Sequence, residues 1–139
     1  MNKLVELAEE IATKAHSGQT DKAGVAYIEH PKYVAALLNK EDEKIVALLH
    51  DVLEDSDVTA RVLYSLFPSH IVDAVKALTK MNHETYNEYI DRVKQNPLSK
   101  VVKMADLRHN MMLERLSPPT NSDYQRVKRY KQAYDILAG

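Results

Sequence analysis

The chain has 139 residues, 45% of them hydrophobic and 28% charged, and a formal net charge of −1. That length suits one domain over residues 1–139, large enough to fold without disulfides, and the absence of cysteine excludes both a disulfide framework and a thiolate metal site. Interleaved acids and bases exclude the basic stripe of a nucleic-acid binder. No apolar run reaches membrane-spanning length and MNKLVELAEE is no secretory leader, so the expected setting is cytoplasmic, with neither nucleic acid nor membrane as partner.

Leu4, Leu7, Ala8, Ile11 and Ala15 recur at helical spacing and predict a helix over residues 2–16. SGQTDKAG follows as a turn punctuated by Gly18 and Gly24. Pro31 suits the first position of a second helix running to about Asn39. Glu41, Asp42 and Glu43 favour the start of a third, where acids complement the helix dipole. This third helix carries IVALLHDVLED and is apolar on nearly every side, as a central buried helix is. Thr59 caps a short helix ending near Phe67, and Pro68 or Ser69 opens another through IVDAVKAL. HETYNEYIDRVKQ predicts a surface helix stopped at Asn96-Pro97, and VVKMADLRHNMMLERL a long one ended by Ser117-Pro118-Pro119. The last runs from about Ser122 to Leu137, with Tyr124, Val127, Tyr130, Tyr134 and Leu137 on one side. No alternating strand pattern competes, so the expected fold class is all-α.

The informative residues are the charges inside apolar helices. Only His50 and Asp51 break the apolar run Ile45–Leu53, and an ionised carboxylate is buried only when paired, hydrogen-bonded or bound to a cation. Glu54 and Asp55 follow four residues beyond His50 and Asp51, which stacks a possible acid/base pair over a possible metal-binding pair. Asp106 lies between Ala105 and Leu107, with Asn110 one turn on, and raises the same question as Asp51. One cation between two adjacent helices answers both. His30, just before Pro31, stands at a helix entrance from which its ring can lean into that site. Two imidazoles and two carboxylates suit Mn, Fe, Co, Ni or Zn. Four protein ligands on a six-coordinate ion leave room for a water and a phosphate oxygen, as metal-assisted hydrolysis requires. Glu54 or Asp55 can take the proton, and Lys22 and Lys103 can balance phosphate charge.

In order and spacing, His30-Pro31, LLHDVLEDS and KMADLRHNM resemble the hydrolase domain of the RelA/SpoT alarmone enzymes and the short standalone hydrolases similar to it. The resemblance runs from AHSGQTDKAG (15–24) to HNMMLERL (109–116). It implies an all-helical HD-domain bundle, one Mn²⁺, and hydrolysis of the 3′-pyrophosphate of guanosine tetra- or pentaphosphate, (p)ppGpp. By position it makes His30, His50, Asp51 and Asp106 the metal ligands. Glu54 and Asp55 become the pair that activates or positions the water, Asn110 a nucleotide contact, and Lys22 the lysine of an Arg-Lys loop motif. The chain also departs from that family. Asp21 replaces the arginine that packs on guanine, Ala23 replaces Ser or Thr, and Val25-Ala26 replaces Glu-Pro. Met111-Met112-Leu113 lacks the family's Arg-Thr. The metal and water machinery is complete, while base recognition is altered.

Other readings stay open at this level. Glu54, Asp55 and Asp57 also fit a solvated helix end, and Lys22 and Lys103 ordinary surface lysines. His16, His70, His83 and His109 are read as structural, capping or exposed, and the Tyr124–Tyr134 stripe as core packing or a dimer contact. The whole chain also fits an HD phosphohydrolase of a nucleoside monophosphate or dinucleotide cofactor, a metal- and nucleotide-binding module without turnover, or a metal-free bundle with buried His–Asp bonds.

Overall fold

The computed structural model describes residues 3–21, 23–112 and 119–139. In chain order the helices are α1 (Lys3–Ala15), α2 (Glu29–Ala36), α3 (Glu41–Leu49), α4 (Val52–Asp55), α5 (Ala60–Leu66), α6 (Ser69–Ala77), α7 (Tyr86–Lys94), α8 (Pro97–Asn110) and α9 (Asn121–Ala138). One isolated bridge pair, Thr20 with Ala26, is the only strand-like pairing among the described residues. The all-α expectation holds. No described helix is long and apolar enough to cross a membrane.

Two helices organise the rest. α3 buries every residue from Ile45 to Leu49 and packs against α1, α2, α6 and α8. α8 packs against α2, α3, α6, α7 and α9. From Ile45 on α3 is enclosed, as is the inner face of α8 with Ser99, Asp106 and His109, so the polar groups there face one another or the core, while Glu41, Asp42 and Arg108 stay exposed. The Ser99 hydroxyl shows the cost being met: it is fully buried and donates to Ala74 O at 2.8 Å, tying α8 to α6.

Several boundaries differ from the sequence expectation, most of them for a local reason. α2 begins at Glu29, so His30 and Pro31 both lie in its first turn, where proline's missing N–H is no loss; it also ends at Ala36, short of Asn39. The expected helix through Asp55 is two pieces, with His50 and Asp51 in a turn between α3 and α4. There the His50 ring donates from Nδ1 to Ala47 O at 2.5 Å, taking a carbonyl that a continuous helix offers to the Asp51 N–H. α7 begins at Tyr86 rather than His83, because Thr85 and Glu88 close a capping box. Asn96-Pro97 starts a helix as well as stopping one. The Asn96 side chain accepts from Leu98 N and Ser99 N, and Pro97 opens α8 four residues ahead of the expected Val101. α8 ends at Asn110 where a longer helix was expected; of that expected stretch, residues 113–116 lie outside the described residues, as do Ser117 and Pro118. In α9 the stripe is only partly buried: Leu137 is enclosed, while Tyr124 at its start is 53% exposed.

Candidate metal centre

α2 carries His30, the turn after α3 carries His50 and Asp51, and α8 carries Asp106. Packing α3 between α2 and α8 brings them together, and His30, His50 and Asp106 each offer a ligand atom within 4.8 Å of the others. His30 Nε2 lies 2.7 Å from Asp106 Oδ1. His50 Nε2 lies 3.3 Å from the same oxygen and 3.0 Å from Asp51 Oδ2. His30, His50 and Asp106 are 5, 3 and 4% exposed, so water does not screen this cluster.

The His50 ring shows what the cluster suits. Its Nδ1 carries a proton, because it faces a carbonyl oxygen. Its Nε2 is buried and close to two carboxylates, yet makes no hydrogen bond. A neutral ring therefore turns a lone pair toward two anions, which is unfavourable unless a proton or a metal cation lies among them. The donor set of imidazole nitrogens and carboxylate oxygens fits a divalent transition metal. The same field acts on the titrations. Burial alone would depress His50, but Asp51 and Asp106 outweigh it and push its pKa well above the usual histidine value. Burial would raise Asp51, but His50 beside it holds the carboxyl at about 2. Burial would likewise raise Asp106, and Lys103 and His50 hold it well below the carboxylate range.

Neighbouring groups fix the side chains of the cluster. Tyr27 donates its hydroxyl to Asp51 Oδ2, and burial together with Asp51 pushes that phenol's pKa far up. Lys103 Nζ lies 3.0 Å from Asp106 Oδ2 and 5.3 Å from the Tyr89 ring centroid. Asn110 Nδ2 donates to Asp106 Oδ1 at 3.2 Å. His109, on the same helix, lies nearly parallel to His30 with centroids 4.9 Å apart and meets it edge to edge, Nδ1 to Nδ1 at 2.7 Å.

A cavity of about 240 Å³ opens beside the cluster, lined by His30, His50, Asp51, Glu54, Lys103, Asp106 and Asn110. Lys80, Tyr86, Arg129 and Tyr130 line it too, so cations and acids share the one space. Glu54 thus shares one space with the cluster; burial, then Asp51 and Asp55, raise its pKa. Asp55, also raised by burial and by Asp51, lines a separate groove with Ile11, Lys14, Val58, Val62 and Leu66. Lys22 lies outside the described residues. Asp21 Oδ1 accepts from Ala23 N and Val25 N at 2.9 and 3.0 Å, which closes the loop that holds the Thr20–Ala26 bridge. Among the described residues of this loop, Gly18 and Gly24 take left-handed positions, both at φ +82°.

Sequence reasoning missed several lining residues. Tyr27 stands three residues before His30, a helical spacing that offered a signal. His109, which the sequence reading leaves as structural, capping or exposed, does not line the cavity but stands one turn beyond Asp106, within reach of the cluster. Tyr86, Arg129 and Tyr130 come from α7 and α9, whose packing no local pattern discloses.

A family model described as HD domain matches residues 8–116. The chain belongs to this family. Two relatives of this HD domain are a probable GTP pyrophosphokinase of Mycobacterium leprae, 29% identical over 97% of this chain and 18% of its own length, and the bifunctional (p)ppGpp synthase/hydrolase SpoT of Escherichia coli K12, 31% identical over 73% of this chain and 16% of its own length. The chain thus spans less than a fifth of either relative. A solved structure of a metazoan orthologue of SpoT that hydrolyses ppGpp superposes with a TM-score of 0.82 at 22% identity, covering 100% of this chain and 88% of that one. That likeness shows the shared HD fold.

Proposed function

We propose that the chain is a metal-dependent phosphohydrolase that removes the 3′-pyrophosphate from a (p)ppGpp-type guanosine nucleotide, residues 1–139 acting as one domain. His30, His50, Asp51 and Asp106 hold one divalent ion, with Mn²⁺ the first choice. The observation that carries the reading is the buried His50 Nε2, near two carboxylates and without a hydrogen bond. The substrate rests on likeness to the (p)ppGpp synthase/hydrolase SpoT of Escherichia coli and to the metazoan orthologue that hydrolyses ppGpp. When bound, the ion lowers the pKa of a water and polarises the phosphorus. The chain's own residues supply the rest. Glu54 takes the proton of the attacking water at its carboxylate, whose raised pKa makes it a better base than an exposed glutamate. Asp55 supports it from the neighbouring groove. Lys103 and Asn110, both already bonded to Asp106, present N–H groups to the phosphate side of the cavity, and Lys22 adds charge from the loop. Incubating the chain with Mn²⁺ and ppGpp, with pyrophosphate and phosphate measured separately, tests this. Pyrophosphate release is expected; no product from ppGpp overturns the substrate.

One observation favours a second reading, an HD phosphohydrolase of another nucleotide. Asp21, where the resembling family places its guanine-stacking arginine, spends Oδ1 on the backbone of its own loop. A carboxylate also offers no cation–π contact to a base. A panel of nucleoside monophosphates, dinucleotide cofactors and ppGpp separates the two readings by relative kcat/KM.

A further inference from the structure

His109 makes contacts that a structural, capping or exposed residue does not require. It is 8% exposed, and its ring lies nearly parallel to those of His30 and Tyr33, edge to edge with the first and face to face with the second, at centroid separations of 4.9 and 4.0 Å and interplanar angles of 11° and 17°. Its Nδ1 faces His30 Nδ1 at 2.7 Å, and His30 Nε2 faces Asp106 Oδ1, also at 2.7 Å. Two neutral imidazole nitrogens at that distance share one proton: one ring donates and the other accepts. The direction of that bond therefore decides which nitrogen of His30 is left with a lone pair.

We propose that His109 is a positioning residue that accepts the Nδ1 proton of His30, and so fixes the tautomer in which His30 Nε2 is free for a metal. The inference rests on the metal reading above. Without metal, His30 Nε2 donates to the Asp106 carboxylate, since a carboxylate only accepts. A ring that gives its Nε2 lone pair to a cation holds its proton on Nδ1, and His109 Nδ1 is what that proton meets. Metal uptake then sets the His30–His109 bond in one sense, with the proton of His109 on Nε2. His50 is fixed differently, through Ala47 O, a backbone carbonyl that can only accept. The two histidine ligands thus have unlike supports, one invariant in direction and one that depends on a second imidazole. Orienting partners of this kind govern ligand basicity and metal affinity. The Tyr33 ring packed on the outer face of His109 keeps the acceptor in plane with its donor.

The test is Zn²⁺ uptake by the full chain, measured against a chromophoric chelator, with histidine ¹⁵N NMR of the Zn²⁺-loaded protein. Expected in the parent are a protonated Nδ1 on His30 and an unprotonated Nδ1 on His109; a protonated His109 Nδ1 overturns the proposal without any variant having to fold. His109→Phe keeps the stacked ring but removes the acceptor, and its Zn²⁺ affinity is expected to fall roughly 10- to 100-fold. His109→Gln, which restores an acceptor oxygen, is expected to regain part of that loss. If the parent takes up Zn²⁺ and His109→Phe binds it equally well, the inference alone fails. A parent that takes up no Zn²⁺ overturns the metal reading and this inference with it.

Discussion

Glu54 and Asp55 are neighbours in sequence but face different spaces, and that separation makes their roles testable one at a time. Glu54 lines the cavity that holds the histidines, whereas Asp55 lines the groove of Ile11 and Val62. Glu54→Gln is expected to lower kcat by roughly 10²- to 10⁴-fold while leaving Mn²⁺ uptake within about twofold, since the amide keeps the size but cannot take a proton. Asp55→Asn is expected to cost about tenfold or less. Equal losses in steady-state assays of the two would overturn the division of labour. Tyr27→Phe acts on the other side of the cluster. It removes only the hydroxyl that donates to Asp51, so metal affinity measured by chelator competition is expected to fall about tenfold with helix content unchanged. His30, His50, Asp51 and Asp106 drew attention in the sequence because charge on an apolar helix needs a physical account. Tyr27 and His109 did not, because an aromatic or a lone histidine beside apolar neighbours is an ordinary core residue until its partner is known.

At the scale of elements, periodicity disclosed that helices exist and capping decided where they begin. Asn96 and Thr85 are the instructive cases. Asn96 looks like a stop signal, and only its bonds to Leu98 N and Ser99 N show that it opens α8. The capping box of Thr85 and Glu88 was present in the sequence but hidden inside a longer polar stretch. The turn at His50-Asp51 had no local signal, because it comes from one ring bonding back to Ala47 O. These details carry energy as well as direction. Asn96→Ala is expected to lower unfolding free energy by about 1 kcal/mol in urea titration, since it leaves two N–H groups of α8 without their side-chain acceptor. Leu49→Ala, at the enclosed end of α3, is expected to cost about 2–5 kcal/mol through lost burial and the cavity left behind. It also loosens the turn that carries His50, so metal affinity should fall with stability. Affinity unchanged in a destabilised Leu49→Ala protein would show that the turn is held without α3.

Across the whole molecule, the buried charges link folding, pH and metal. With metal absent, His50 is held above its ordinary value of 6.5: burial opposes this, but Asp51 and Asp106 outweigh it. A raised histidine pKa gives stability that is fully present below 6.5 and is lost as pH rises through the folded value. Asp51 has the opposite sign. Burial would raise it, His50 holds it at about 2, and its contribution is present above 3.8 and lost as pH falls from there toward 2. Asp106 adds to the same acid limb. The metal-free protein is therefore expected to be most stable between about pH 4 and 6.5, and to weaken on both sides. In the proposed metal site a divalent ion would take the place of the His50 proton, so its binding is expected to release a proton and to tighten as pH rises. Melting curves taken with EDTA and with Mn²⁺ from about pH 5 to pH 9 should diverge, the gap in Tm widening toward alkaline pH as the metal-free curve falls. A gap independent of pH would mean that His50 holds no proton for the ion to displace. The same curves on His50→Gln should lose both the alkaline fall and the widening gap, because that variant has no proton to exchange at the site.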